Sequence, residues 1–319
     1  MPIRDAMPEY ILQTKALMKS FKNVQAVKGL DLNVEKGDIY GFLGPNGAGK
    51  TTTIKMILDL THPDSGDILI NGKNTKQAGV LARQGIGYLP ERAQFYRNLT
   101  AYQTMEFFAE LKGADKKECD ELLARVGMDK WRDEKLGTFS KGMVQLVGVA
   151  QALLGSPRIL ILDEPTSGLD PRWARALKDI MLEMNGKGTT VFFSSHLLSE
   201  VQELCKRIAI LNKGQLVIED TVSRVSEGLT GKPKLIVRVI GDPAPAVKAL
   251  TDAGFAETQV HGQVISVFVE AGRKSQVMKV LAQANADVED FRTEESSLED
   301  AFIRYIGADS TPGGDRDAA

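Results

Sequence analysis

Residues 44–51 carry an uninterrupted G-x-x-x-x-G-K-[ST] pattern, which indicates phosphate chemistry. Glycines in such a segment let successive backbone N–H groups point into one concavity, and the helix that follows adds partial positive charge at its N-terminus. We expect the Lys50 ammonium to reach the β- and γ-phosphates of a nucleotide and the Thr51 hydroxyl to ligate Mg²⁺. The predicted phosphate-binding residues are Gly44, Pro45, Asn46, Gly47, Ala48, Gly49, Lys50, Thr51 and Thr52.

Two acidic residues, Asp163 and Glu164, directly follow the apolar run at 159–162. Such a run is typical of a strand buried in a parallel sheet, and ligands bind at the carboxyl ends of such strands. Asp163 is the expected partner of Mg²⁺, directly or through a water molecule, and Glu164 is then placed to polarise the attacking water. By itself the pair could equally be an N-cap at a strand–helix turn, and the phosphate loop favours the catalytic interpretation.

A second helix start with anion-binding character lies just before the acid pair. Ser140 is predicted to be the N-cap of a helix with apolar periodicity, and Lys141 and Gly142 follow it. A helix N-terminus with these residue types is a ready site for an anion. Two such sites in one chain suggest a nucleotide held from both sides.

These segments need a sheet and helices to position them, and the apolar periodicity predicts both. Strands are predicted at 27–34, 39–43, 68–70, 86–89, 159–162, 189–194, 208–211 and 215–218. Helices are predicted at 50–60, 104–111, 117–126, 142–154, 172–185 and 197–205. Short apolar strands between helices predict an α/β sheet that is covered on both faces. The stretch 101–136 contains no predicted strand, so we expect a helical insertion there.

The pattern changes near residue 223, where a polar connector at 223–234 contains two glycines and a proline. A small α+β domain is predicted beyond it, over 223–307. Its strands are expected at 235–240 and 264–269, and its helices at 244–252, 274–284 and 298–305. The small, polar residues 308–319 are expected to form a disordered tail.

The composition excludes several classes of protein. A chain of 319 residues suggests about two domains, and its 43% hydrophobic content is ordinary for a globular protein. A formal net charge of −2 argues against a protein that coats nucleic acid through its overall field. Apolar runs of a handful of residues are too short for a membrane span, and the N-terminus lacks the apolar core of a signal peptide. The cysteines, Cys119 and Cys205, form no disulfide framework, so a reducing cytoplasmic setting is the default expectation.

Taken together, the motifs resemble those of the ATP-binding subunit of an ABC transporter. The phosphate loop, the start of the helix at 140–143 (the signature position), the acid pair, the D-loop at 167–170 and His196 after an apolar strand occur in the family's order. The resemblance covers about residues 10–220. It implies an α/β fold, the P-loop NTPase ABC cassette, with a mixed sheet core and a helical subdomain at about 92–156. The cassette is therefore expected to span 1–222.

The resemblance also implies a site shared by two chains that dimerise head to tail, with ATP and Mg²⁺ as cofactors. Residues 44–51 of one chain and Ser140, Lys141 and Gly142 of the other would enclose ATP. Phe21 stands where the family places an aromatic ring under adenine, and the alternative is a core phenylalanine. His196 would contact the γ-phosphate and sense its loss, and Asp170 belongs to the D-loop in the predicted nucleotide site.

Two departures from the family pattern resemble a subgroup of exporters, the ABC-2 type, which includes drug and sodium pumps. Lys141 and Met143 replace the usual Gly and Gln of the signature. Glu91 stands where a Gln is usual, and it is expected to accept a bond from metal-bound water. Membrane partners in this subgroup are separate polypeptides. The resemblance thus implies a peripheral subunit at the cytoplasmic face of the cell membrane that hydrolyses ATP to power export through a separate permease.

Residues 294–302 resemble the closing helix of that subgroup's extra domain, or are simply a capped amphipathic helix.

Two other functions stay open at this point. A soluble ABC ATPase acting on nucleic acid or ribosomes would be expected to carry a second phosphate loop, a long coiled coil or a basic patch, and the sequence has none of these. We therefore expect no nucleic-acid partner. A non-hydrolysing nucleotide switch is the third interpretation, and Glu164 and His196 argue against it.

Overall fold

The computed structural model describes residues 9–228, 234–255, 257–269, 271–294 and 302. The residues up to Thr221 form one compact unit, and the described residues from Val222 onward form a second. No helix in the described residues is both long enough and apolar enough to cross a bilayer. The predicted tail at 308–319 and the predicted helix at 298–305, apart from Phe302, lie outside the described residues.

A six-stranded sheet in the order β10-β9-β3-β8-β7-β6 organises the first unit. Its strands are β3 (Ile39–Leu43), β6 (Ile86–Leu89), β7 (Ile159–Asp163), β8 (Thr190–Ser195), β9 (Arg207–Asn212) and β10 (Gln215–Thr221). All neighbours are parallel except β10, which pairs antiparallel with β9. Every residue of β3, β7 and β8 is buried, because the parallel core of the sheet is covered on both faces. The mixed sheet predicted from the sequence is confirmed.

A four-stranded antiparallel sheet in the order β2-β1-β4-β5 shares one apolar core with the six-stranded sheet. Its strands are β1 (Tyr10–Phe21), β2 (Val24–Glu35), β4 (Ser65–Ile70) and β5 (Lys73–Asn74). The sequence did not predict β1, because register shifts and a left-handed residue, Ala16 (φ 46°), break its alternation of apolar and polar residues. Apolar side chains of α1 complete this core.

The helices of the first unit connect the strands, and the third, fourth and fifth of them all lie between β6 and β7. The helices are α1 (Lys50–Ile57), α2 (Thr75–Ala78), α3 (Ala101–Lys112), α4 (Lys117–Arg125), α5 (Lys141–Leu153), α6 (Pro171–Gly186) and α7 (Leu198–Leu204). Thr100 begins α3 with a capping box that it forms with Gln103. The insertion expected at 101–136 is helical, with an isolated bridge between Thr100 and Lys135 at its ends.

The second unit begins with α8 (Val222–Gly228), where the sequence had predicted a polar connector; that prediction was wrong for these residues. A four-stranded antiparallel sheet in the order β12-β13-β11-β14 follows. Its elements are β11 (Lys234–Val239), α9 (Ala244–Asp252), β12 (Thr258–His261), β13 (Val264–Phe268), α10 (Lys274–Gln283) and β14 (Val288–Glu294). This β-α-β-β-α-β arrangement buries α9 and α10 against the sheet, around Leu235, Val237, Leu250 and Leu281. The predicted α+β character is observed, and β12 and β14 were not predicted.

Candidate functional site

The turn between β3 and α1 leaves the start of the helix without a side-chain cap. Gly49, the N-cap of α1, has a φ of 108°, and no side chain caps the helix. A Cβ on Gly49 would lie 2.5 Å from the Ala26 carbonyl oxygen, so this position requires glycine. Because the first-turn N–H groups of α1 have no side-chain acceptor, they are free to bind phosphate oxygens.

This turn forms one wall of a cavity of about 870 Å³, a size that suits a nucleotide. The lining includes the residues predicted from the phosphate-loop pattern except Gly44. It also includes Glu91, Glu164 and His196, which the sequence had assigned to the same site from three distant segments. Ser167 of the D-loop also lines the cavity. Other lining residues, which the sequence analysis did not predict, are Asn23, Val24, Gln25, Ala26, Lys28 and Lys213.

Asp163 ends β7 in a buried position behind the phosphate loop. The Ser194 hydroxyl of the neighbouring strand donates to Asp163 Oδ1 at 2.7 Å, and the Thr51 side chain lies near the same carboxyl. Burial raises the pKa of Asp163, against the lowering effect of Ser194 and Thr51. The predicted metal ligands Thr51 and Asp163 therefore lie close together.

Ser194 also accepts a hydrogen bond from the Glu164 backbone N–H at 2.9 Å, so one hydroxyl orients both acidic residues. The sequence analysis placed this serine within a strand and gave it no role. The available signal was a polar residue at the carboxyl end of a buried strand, the position from which Asp163 was predicted.

Glu164 is buried and has a left-handed backbone with a φ of 47°, which is uncommon for a residue other than glycine. Its Oε1 lies 3.1 Å from Lys50 Nζ, and its Oε2 lies 2.8 Å from His196 Nδ1. The contact with Lys50 is an ion pair that lacks hydrogen-bond geometry, because Oε1 has no hydrogen-bond partner. The fold thus joins two predicted catalytic residues and the predicted phosphate-binding lysine.

The oxygen atoms at this place suit a hard cation. Asp163 Oδ2 and Glu164 Oε1 are buried without hydrogen-bond partners, and the Thr51 hydroxyl lies beside Asp163. Mg²⁺ prefers such oxygen ligands and binds through one or two carboxylates together with substrate phosphates and water. The described residues contain no cluster of three or more His, Cys, Asp or Glu side chains that would form an all-protein metal site. The residues therefore fit a magnesium ion that arrives with a nucleotide.

The start of α5 is on the surface. Ser140 is its N-cap, as predicted, and accepts from the Met143 N–H at 3.3 Å. Ser140 and Lys141 are exposed, and Gly142 is half-buried against Leu169. None of these residues lines the nucleotide cavity of its own chain.

The D-loop lies beside the α5 start in the same chain. Lys141 Nζ would lie 2.9 Å from a Cβ placed on Gly168, so its side chain covers that glycine. Asp170, predicted to be part of the nucleotide site, caps α6 by accepting from the Trp173 N–H at 3.0 Å. In one chain it is a helix cap and does not line the cavity.

Phe21 is another predicted site residue that does not line the cavity. Its side chain is 49% exposed at the end of β1, and the Lys19 ammonium lies 5.3 Å from the ring centroid. Val24, which is exposed and close to Phe21 in sequence, lines the cavity instead. The adenine-stacking role of Phe21 stays a prediction.

Comparison with known proteins decides the family. The family model described as ABC transporter matches residues 27–167. The bacitracin transport ATP-binding protein BcrA of Bacillus licheniformis is 37% identical over 302 residues, which are 93% of this chain and 97% of that protein. This chain belongs to the ABC transporter ATP-binding family. The linearmycin resistance ATP-binding protein LnrL of Bacillus subtilis (strain 168) is 32% identical, over 93% of this ATP-binding subunit and 98% of its own length.

Solved ABC cassettes share the fold. The structure of an ATP binding subunit of an ABC transporter superposes with a TM-score of 0.64 at 30% identity, covering 68% of this subunit and 92% of that chain. The dimeric bacterial ABC transporter cassette MJ0796 superposes with a TM-score of 0.62 at 25% identity, covering 66% of this subunit and 98% of that chain. The fold is therefore the ABC cassette form of the P-loop NTPases. This chain is an ATP-binding subunit of an ABC transporter, in a family of ATPases.

Proposed function

We propose that two copies of this chain bind and hydrolyse Mg²⁺-ATP between them and thereby power export through a separate membrane-spanning partner. The supporting observation is the convergence of Lys50, Thr51, Glu164 and His196 at one cavity, with Asp163 buried close to Thr51. Phosphoryl transfer needs mainly positioning and charge neutralisation, and these groups can supply both.

Each residue has a role that follows from its position. The loop N–H groups and Lys50 bind the phosphates, and Thr51 and Asp163 would hold Mg²⁺, which neutralises phosphate charge when bound. Glu91 lines the same cavity and is the proposed acceptor for a metal-bound water. Glu164 orients the attacking water, and His196 contacts the terminal phosphate.

The dimer is proposed because the residues of the second anion site are on the surface and do not line the chain's own cavity. Ser140, Lys141 and Gly142 start a helix at the surface, where they are able to close the nucleotide site of another copy. MJ0796, which shares the fold, is a dimer in its solved structure. Asp170 lies next to this surface, and it would join the shared nucleotide site when two chains associate.

Export is proposed from the relatives, and a place at the cytoplasmic face of the membrane is proposed from the family resemblance of the sequence. Relatives that are similar to this chain along nearly its whole length carry names for bacitracin transport and linearmycin resistance. These names favour removal of an antibiotic-like compound over the alternative of a soluble ATPase on nucleic acid or ribosomes. A tagged chain solubilised from membranes in detergent is expected to co-purify with a membrane-spanning protein, and co-purification with ribosomes instead would contradict the proposal.

A purified-protein assay tests the chemistry. We expect ATP hydrolysis that requires Mg²⁺ and disappears with EDTA. Glu164→Gln should lower turnover by about 10³-fold while ATP-bound dimers accumulate, as seen by light scattering. Full turnover in this variant would remove Glu164 from its proposed role. If only single subunits form with ATP, Mg²⁺ and the membrane partner present, the shared site is wrong.

A further inference from the structure

Two adjacent serines end β8, and the pleat of the strand places their side chains on opposite faces of the sheet. Ser194 orients the acid pair. Ser195 is buried, and its hydroxyl donates to Glu200 Oε2 at 2.9 Å. Glu200 lies in the first turn of α7 and is only 6% exposed. This hydrogen bond therefore joins the end of β8 to the start of α7 across the turn that contains His196.

The Ser195 hydroxyl also closes this turn. Its oxygen accepts from the Leu197 N–H at 2.9 Å, so the backbone at 195–197 curls around one side-chain atom. The hydroxyl has a single hydrogen, and the Leu197 carbonyl oxygen, at 3.5 Å, is a second acceptor for it. Glu200 takes that hydrogen over the shorter distance, and the oxygen stays available to the Leu197 N–H. Glu200 thus sets the direction in which the hydroxyl points.

His196 is the middle residue of this turn. Its side chain is 37% exposed, lines the nucleotide cavity and contacts Glu164 Oε2 through Nδ1 at 2.8 Å. The backbone beneath the imidazole is held by the two hydrogen bonds of the Ser195 hydroxyl. Because a displacement of about 1 Å is enough to weaken a catalytic contact strongly, the conformation of this turn matters for the reaction.

The burial of Glu200 argues for more than a packing role. A buried carboxylate loses its hydration, and one hydroxyl donor replaces only part of it. The other buried positions on α7 besides Glu200 are the apolar Leu198, Val201 and Leu204. An apolar side chain at position 200 would avoid the desolvation cost, but it would leave the Ser195 hydroxyl without its acceptor. The acceptor oxygen is therefore the feature that this position supplies.

We propose that Glu200 is a positioning residue for ATP hydrolysis. Through the Ser195 hydroxyl it holds the turn that aims His196 at the terminal phosphate. The inference rests on the proposed function, because it takes the contact between His196 and that phosphate from it. Glu200 does not line the cavity, so it acts through the turn and not on the nucleotide.

Steady-state turnover of the full chain measures this link. Glu200→Ala should lower kcat about tenfold and change the KM for ATP by less than about twofold, because the phosphate loop is untouched. Glu200→Gln should keep kcat within about twofold of the parent, because its amide oxygen still accepts from Ser195. Glu203→Ala is the matched control and should also stay within about twofold, because Glu203 lies on the same helix but pairs with Lys178 at 2.6 Å.

The His196→Ala background separates a positioning role from a merely structural one. If Glu200 acts through His196, adding Glu200→Ala should lower the residual kcat of that background by less than about twofold. A tenfold loss in both backgrounds would mean that the substitution damages α7, and it would overturn the proposal. Full turnover in Glu200→Ala, or an equal loss in Glu200→Gln, would overturn it as well.

Amide hydrogen exchange of Leu197, followed by NMR, gives a second readout that needs neither nucleotide nor turnover. The Leu197 N–H should exchange about tenfold faster in Glu200→Ala and within about twofold of the parent in Glu200→Gln and Glu203→Ala. Unchanged exchange in Glu200→Ala would show that Glu200 does not hold the turn. Failure of the proposed function looks different, because His196→Ala would then keep full turnover while the exchange at Leu197 still responds to Glu200→Ala.

Discussion

The nucleotide cavity and the α5 start both offer helix N-termini to phosphate, but they differ in how complete they are within one chain. In the cavity, Lys50 and Asp163 are buried and already have partners. At the α5 start, Ser140 and Lys141 are exposed, and the Ser140 side chain is used for the N-cap bond. We therefore propose that the cavity binds nucleotide in a single chain, whereas the α5 start acts only when a second chain meets it.

Replacing the buried lysine should have the largest effect. In Lys50→Met we expect hydrolysis to fall by about 10³-fold, because a preorganised charge at the phosphates is lost. Single chains should also bind ATP weakly in calorimetry. Lys55→Met is the control, since Lys55 is exposed on the same helix. Equal loss in the control would mean that α1, not the ammonium, was damaged.

Stability should separate two glycines of the same loop. Gly49→Ala should lower the free energy of unfolding by about 3 kcal/mol. The new Cβ would clash with the Ala26 carbonyl oxygen, and alanine would also be strained at a φ of 108°. Gly47 has a φ of 78°, but no atom lies within 4 Å of the place where a Cβ would be. Gly47→Ala should therefore lower the free energy of unfolding by about 1 kcal/mol. Urea denaturation measures both, and equal losses would contradict the steric argument.

Gly142→Asp should affect only the step that needs two chains. Hydrolysis is expected to drop by about 10²-fold, since an acid replaces part of an anion site. ATP affinity of single chains should change by less than about twofold, because Gly142 does not line the cavity. Gly186→Asp, at an exposed position on α6 with no atom within 4 Å of its Cβ, is the control. Weak ATP binding by single chains of Gly142→Asp would contradict the proposal that the cavity binds nucleotide without the α5 start.

Asp163→Asn should make the chain more stable and inactive. Burial raises the Asp163 pKa, so the folded state holds this proton more tightly than the unfolded state. The contribution of this carboxyl group to the free energy of unfolding is therefore largest below its ordinary pKa of 3.8. That contribution is lost as pH rises through the raised pKa of the folded state. Without Mg²⁺ at pH 7, the Asp163→Asn substitution should raise Tm by roughly 2–4 °C, the shift for about 1 kcal/mol. The gain should vanish below pH 3.8; a gain that persists there would contradict the assignment.

The smallest effect is expected at Phe21. Its ring is half exposed and outside the cavity lining, so Phe21→Ala should weaken ATP binding about threefold and leave Tm unchanged. Val24→Ser is the comparison, because Val24 lines the cavity. A loss near 100-fold in Phe21→Ala would show that the ring moves under the base when nucleotide binds.

Local patterns carried most of what the sequence predicted correctly. The apolar runs of β3 and β7 are continuous, so periodicity located them and the residues at their carboxyl ends. The Ser140 cap depends on residues within one turn, which explains why it was also predictable. β1 was missed because its bulges break the alternation, and α8 because its residues are polar.

The sequence alone thus determined the phosphate loop, the acid pair and the helix start at Ser140, since each is a short segment whose residue types encode its chemistry. Only the tertiary structure decided that Ser194 orients both acids and that Glu164 bridges Lys50 and His196. These contacts join separate strand ends and a loop, so they depend on the order of strands in the sheet. No local periodicity encodes that order, because the buried strands have similar apolar sequences and their pairing is set by packing of the whole core.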